Sequence, residues 1–364
     1  MFDIIKTEVE KEAEEGKLCI LNKMTKHTNF GSTPILNYQK GERIMSVYQA
    51  GKKFILVISI ISILCMCIRV SNIYAINLTE DVTLINEPHI FSTTPDDPEW
   101  DTFTTVAERR NACHVPLEEL QAMTTEALVD TILNYPLLID IYAYDDLETG
   151  IAAVSKYFGG IEELMRRNDA VEILSTNLEN RSARNMIDIY LESLLQAVNG
   201  YIEPYVYPYG EPGTVTTPNG STVNVTVGKA WTNESNDSYY DALIQQEEYL
   251  DTYSTAVAVS YPNPAFNCHS YAWYEMSEEN NVWMPDPRLY MTDGSYSACS
   301  VSIGAKVYYS SSNNFPVHSG VIVNLPVGGN SAKVQSKWGK CGIFIHYVDD
   351  CPYAEESVSV GCWK

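Results

Sequence analysis

The sequence predicts an α+β chain, an N-terminal helical bundle followed by a helix packed on an antiparallel sheet, and three observations lead there. Apolar residues recur at steps of three and four from about Asp101 to Val198, the period of helices that bury one face. Beyond Gly200 the pattern changes to alternating Val, Thr and Tyr between Gly- and Asn-containing turns, the period of strands. Set within that second region is one short aromatic run, CHSYAWYEMSEE, preceded by Asn267 and, further back, by Pro262 and Pro264, a start signal for a helix.

The elements follow in order. In LETGIAAVSKYFGGIEELMRR, Ile151, Val154, Phe158, Ile161 and Leu164 share one helix face, and Gly159-Gly160 divides the stretch into two helices. Thr124 caps the helix that starts at TTEA, and ARNMIDIYLESLLQAV continues the pattern up to Asn199-Gly200. Around Pro218-Asn219-Gly220 the alternation predicts a hairpin with a tight turn, since Asn and Gly both tolerate positive φ. A Tyr-rich helical piece, DSYYDALIQQEEYLDTY, leads to the aromatic run. Three strands follow, in SIGAKVYYSS (302–311), PVHSGVIVNLP (316–326) and AKVQSKWG (332–339). With 364 residues the chain is long enough for two domains. Its expected division is a linker over 76–100, a helical domain over 101–200, a hairpin and connecting segment over 201–260, and a second domain over 261–364.

Residues 54–68, FILVISIISILCMCI, are uncharged, with Lys52 and Lys53 before them and Arg69 after. The run is short for a bilayer-spanning helix and suits a secretory signal. This predicts a natural start at Met45, a cut after Ala75 and an exported product; a short uncleaved anchor is the alternative. Membrane contact is expected only through this segment. The full chain has a formal net charge of −23. Residues 1–75 hold ten Lys or Arg and seven Asp or Glu, which leaves 14 basic against 40 acidic residues in the remainder. Such a surface repels nucleic acid and anionic lipid.

Six of the nine cysteines lie beyond residue 75: Cys113, Cys268, Cys299, Cys341, Cys351 and Cys362. An even number permits three disulfides in an exported chain, with pairing undetermined by spacing. Cys341, His346, Cys351 and Cys362 lack the close C-x-x-C pairs of zinc sites, so no metal or cofactor is expected.

Cys268 has three readings: a nucleophile, half of a disulfide with Cys299, or a small apolar filler. The first has a physical basis, because the free N–H groups and dipole of a helix start favour a thiolate. His318 opens the second strand, where its imidazole can serve as base to a thiol. A polar residue on the third strand can then orient that ring, adjacent strands being under about 5 Å apart. Gln335 is the expected orienting residue, with Ser336 the alternative because register is not fixed by sequence, and His346 in GIFIHYV a further one. His269 is expected to be structural, and Asp286 and Asp293 to form turns.

The stretches NCHSYAW, GAKVYY, HSGVIV and KVQSKWG, in that order, resemble the papain-like NlpC-type cell-wall peptidases and their CHAP amidase relatives over about residues 262–347. The resemblance implies a papain-like second domain and a thiol-dependent peptidase or amidase acting on peptide or peptidoglycan. In it Cys268 would be the nucleophile, His318 the base and Gln335 the orienting residue, and the Cys268 backbone N–H would form part of an oxyanion hole. Asn-Cys-His-Ser in place of Asp-Cys-Ser-Gly, and Ala305 in place of Asp, depart from the family pattern. The rival expectation is a non-catalytic secreted module whose aromatic cleft holds peptide or glycan.

Overall fold

The computed structural model describes residues 84–179, 184–200, 210–229, 237–355 and 358–364. Met45, the apolar run 54–68 and the cut after Ala75 lie outside the described residues. The helical stretch contains α1 (Val106–Ala112), α2 (Leu117–Ala122), α3 (Thr125–Leu133), α4 (Leu147–Val154), α5 (Gly160–Leu164), α6 (Ala170–Glu179) and α7 (Met186–Val198). Local chemistry accounts for several starts. Thr105 and Glu108 form a reciprocal capping box at α1, Asn185 and Asp188 do the same at α7, and the Thr124 side chain accepts the Ala127 N–H at α3. The Gly159-Gly160 pair separates α4 from α5 as the sequence predicts.

Strands β1 (Gly210–Thr216) and β2 (Thr222–Gly228) form the expected hairpin. Its turn differs from the expected one: Gly220 alone takes positive φ (86°), and its N–H reaches the Thr217 carbonyl. A longer loop in which only the glycine is left-handed relieves Asn219 of that conformation. Then come α8 (Asp237–Thr252), β3 (Val257–Ala258), α9 (Cys268–Trp273), β4 (Val282–Trp283), α10 (Arg288–Thr292), β5 (Lys306–Ser310), β6 (Pro316–Asn324), β7 (Lys333–Lys337), β8 (Ile343–Tyr347) and β9 (Ser359–Trp363). An antiparallel six-stranded sheet has the order β3-β8-β7-β6-β5-β9, and β1-β2-β4 make a smaller one. The α+β class and the three predicted strands are thus present.

Strand register decides what each face of the large sheet carries. Val321 pairs with Gln335, so Ser319, Val321, Gln335 and Lys337 project from one face, toward α9. His318, Ile322, Val334, Ser336 and Trp338 project from the other. Gly320 fits the second face only because it lacks a side chain, as a Cβ there would lie 2.2 Å from Val334 Cγ1. On the α9 side, Trp273, Met284, Tyr308 and Val321 pack with Val223 and Val225 of the small sheet.

The opposite face meets the helical stretch. One buried cluster runs from Phe91 and Trp100 through the helices to Val334, Trp338 and Tyr353, and residues Val82–Lys364 form one compact unit. The stretches 101–200 and 261–364, expected as separate domains, share this core. Tight backbone approach contributes to it: a Cβ at Gly150 of α4 would stand 1.8 Å from the Ile141 carbonyl oxygen. Gly150→Ala is therefore expected to cost about 1–3 kcal/mol through overpacking, reversing the gain of up to about 1 kcal/mol that helix propensity alone would bring. Urea unfolding of the variant checks this; an unchanged or raised midpoint would refute it.

Candidate functional site

Cys268 is the first residue of α9, where the sequence places it. Asn267 caps that helix by accepting the Ser270 N–H at 3.1 Å, and the same amide holds Met284 through both its N–H and its carbonyl. The start of α9 is thereby fixed against the end of β4. The backbone N–H groups of Ser319 and His269 lie near the Cys268 sulfur and favour its thiolate. The sulfur stands in a cavity of about 370 Å³, which Tyr144, Asp145, Lys156, Lys337, Tyr353 and Glu355 also line. Cys268 is 9% exposed.

The electrostatics of this cavity hold the thiol protonated. Burial, followed by the nearby Asp145 carboxylate, pushes Cys268 up to about 12, against the pull of the two backbone donors and Lys337. Burial likewise pulls the Lys337 ammonium down to about 8, and pushes Asp145 up to about 6 with Asp146 adding to the rise. Lys337 Nζ donates to the Gly339 carbonyl at 2.6 Å and lies over the Phe266 ring. Neither Lys337 nor Asp145 was expected from the sequence. A Lys in a strand reads as solvated, and its burial follows only from the register that turns it toward α9.

His318 is fully buried on β6, and its ring stacks on Tyr353 with centroids 3.7 Å apart and planes 6° from parallel. Neither ring nitrogen has a hydrogen-bond partner, so no hydrogen bond joins it to the Cys268 sulfur. The two residues are linked indirectly. The N–H next in chain after His318 lies near the sulfur, and the Tyr353 ring both stacks on the imidazole and lines the Cys268 cavity. Burial, then the neighbouring His346 and His269, hold the His318 pKa well below its usual value.

Gln335 does not orient His318. Its amide donates to the Tyr271 hydroxyl at 2.7 Å on the α9 side of the sheet, whereas the His318 ring lies on the other side. The reason is parity: a one-residue difference along a strand exchanges faces. The two alternatives, Ser336 and His346, are on the correct face but are engaged with each other. His346 Nδ1 donates to the Tyr347 carbonyl, so Nε2 accepts from the Ser336 hydroxyl, each at 2.7 Å, and Trp338 Nε1 donates to that same hydroxyl oxygen. The His318 and His346 ring centroids are 6.3 Å apart.

His269 is held structurally. Trp273 Nε1 donates to the Ser319 hydroxyl oxygen, and that hydroxyl is 2.8 Å from His269 Nδ1. Asp286 and Asp293 accept the backbone N–H groups of Arg288 and Ser295, as turn formers do. All six described cysteines are free, including Cys268 and Cys299. Among the described residues, no group of three or more His, Cys, Asp or Glu is arranged to hold a metal ion. No family model, curated protein or solved structure matches this chain.

Proposed function

We propose that this chain is an exported thiol-dependent amide hydrolase in which Cys268 is the nucleophile and His318 the base. The observation that carries the reading is Cys268 itself, placed at a helix start, near two backbone N–H groups that favour its thiolate and lining a cavity. The uncompensated burial of both His318 nitrogens supports it, because such a cost is retained where a group has work other than packing. The order of the NCHSYAW and HSGVIV stretches, which resemble the NlpC-type peptidases, favours stem peptides of peptidoglycan as substrate.

In this reading the thiol is neutral at rest. A substrate carbonyl enters the cavity, the His318 imidazole leaves both its stack on Tyr353 and its own face of the sheet to take the thiol proton on the α9 side, and sulfur attacks the carbonyl carbon. The protonated imidazole then returns its proton to the leaving amine, and water releases the acyl group from sulfur. Backbone N–H groups at the start of α9 stabilise the oxyanion.

A peptide-binding module without catalysis is the second reading, favoured by the high thiol pKa and the missing sulfur–imidazole hydrogen bond. Incubation with synthetic stem peptide and with peptidoglycan fragments, read by the appearance of new amines, separates the two. Turnover that falls by a factor on the order of 10⁴ in Cys268→Ala is expected of the hydrolase. Binding of either probe with no amine released would leave the module reading standing, and turnover surviving in Cys268→Ala would exclude Cys268 as nucleophile.

A further inference from the structure

Outside the cavity, the cysteines with a defined geometric relation are Cys299 and Cys362. The Cys299 N–H donates to the Cys362 carbonyl at 2.9 Å. Ala298 and Trp363 form an antiparallel bridge, and Ser297 and Lys364 exchange both of their backbone bonds at 3.0 and 2.9 Å. Three successive pairings of one antiparallel ladder therefore place Cys299 directly opposite Cys362. Residues directly opposite project to the same side, with Cα atoms about 4.5–5.5 Å apart, which lies inside the span of about 4.4–6.8 Å that a disulfide bridges. Both residues are half-buried, whereas Cys113, Cys341 and Cys351 are sealed in the core. The Cys362 thiol is pushed up by burial and then by Cys299, which lies near enough to act on it.

We propose that Cys299 and Cys362 form a cross-strand disulfide that ties β9, an edge strand of the large sheet, to the 297–299 stretch. A disulfide donor such as oxidised glutathione supplies the oxidising equivalents. The Cys299 thiolate attacks one sulfur of the donor, expels a glutathione thiolate and forms a mixed disulfide. The Cys362 thiolate then attacks the Cys299 sulfur and expels the second glutathione. One S–S bond is formed and one broken, the protein loses two thiol protons, and two reduced glutathiones take them up.

The test equilibrates the full chain in a buffer of oxidised and reduced glutathione, blocks remaining thiols with iodoacetamide, and digests with trypsin and a Glu-specific protease. Cys299 is the lone cysteine of fragment 289–306 and Cys362 of fragment 357–364. The expected product is these two fragments joined, two hydrogens lighter than their sum, with Cys113, Cys268, Cys341 and Cys351 recovered alkylated. In Cys299→Ser the joined product disappears and Cys362 is recovered unlinked to any other cysteine. Recovery of both wild-type fragments as alkylated or glutathione-bearing species overturns the proposal, as does Cys362 joined elsewhere in Cys299→Ser.

Discussion

Replacing Arg109 by Met lowers the unfolding free energy by about 3–5 kcal/mol, the usual cost of stranding one member of a buried ion pair. Arg109 and Asp350 are both fully buried, and the guanidinium donates to the carboxylate through Nε at 2.9 Å and Nη2 at 3.1 Å. It also holds the Trp100 and Phe103 carbonyls, while Thr255 donates to the same carboxylate. Removing the cation leaves Asp350 with a single hydroxyl donor in a site without water access. The double variant Arg109→Met with Asp350→Leu recovers a large part of the loss, since it removes the stranded charge as well. Urea midpoints of the three proteins decide this. A single variant that loses under about 1 kcal/mol would mean that solvent reaches the pair.

His318→Leu is expected to stabilise the fold and, in the proposed hydrolase, to end turnover. The imidazole has two polar atoms buried without partners, and an apolar side chain of similar volume removes that penalty of about 1–3 kcal/mol, less the lost stack on Tyr353. The variant also alters the pH dependence in a defined sense. Below about pH 6.5 the unfolded chain takes up a proton on this histidine, whereas burial keeps the folded imidazole neutral. The stability that depends on the neutral ring is complete above that pH and is lost as pH falls. The slope of stability against pH between 6.5 and 5 is therefore shallower in the variant. Denaturant midpoints across that range, with amine release at pH 7, give both readouts. A destabilised variant with unchanged turnover would make His318 a packing residue and remove the base from the proposed mechanism.

Much of this architecture could be read from local signals, because each signal carries its own physical cause. Thr124 and Asn267 mark helix starts through capping, and the structure has the starts there; the Gly159-Gly160 pair opens α5, while α4 already ends at Val154. The strand segments around His318 and Gln335 likewise stand where alternation puts them. What escaped was non-local. Strand order points to Gln335, but face is set by register, and register depends on how β6 and β7 pair along their whole length. Lys337 and Asp145 are 192 positions apart in a sequence of 364 and come together only because the helical stretch closes over the start of α9. The common core escaped for the same reason, since periodicity reports which face is buried and not against what.

That common core sets terms for any attempt to transplant the cysteine-bearing half. Trp100, near the beginning of the described chain, donates its indole N–H to the Thr252 carbonyl just before β3, and Tyr353, near the other end, donates to the Ala143 carbonyl. A graft cut at a residue between the helices and the sheet would arrive with a raw apolar wall and orphaned carbonyls on its concealed side. The wall of the cavity that contributes Tyr144 and Asp145 would stay behind with the donor. The portable unit is the whole described region, with its helices serving as one jaw of the cleft.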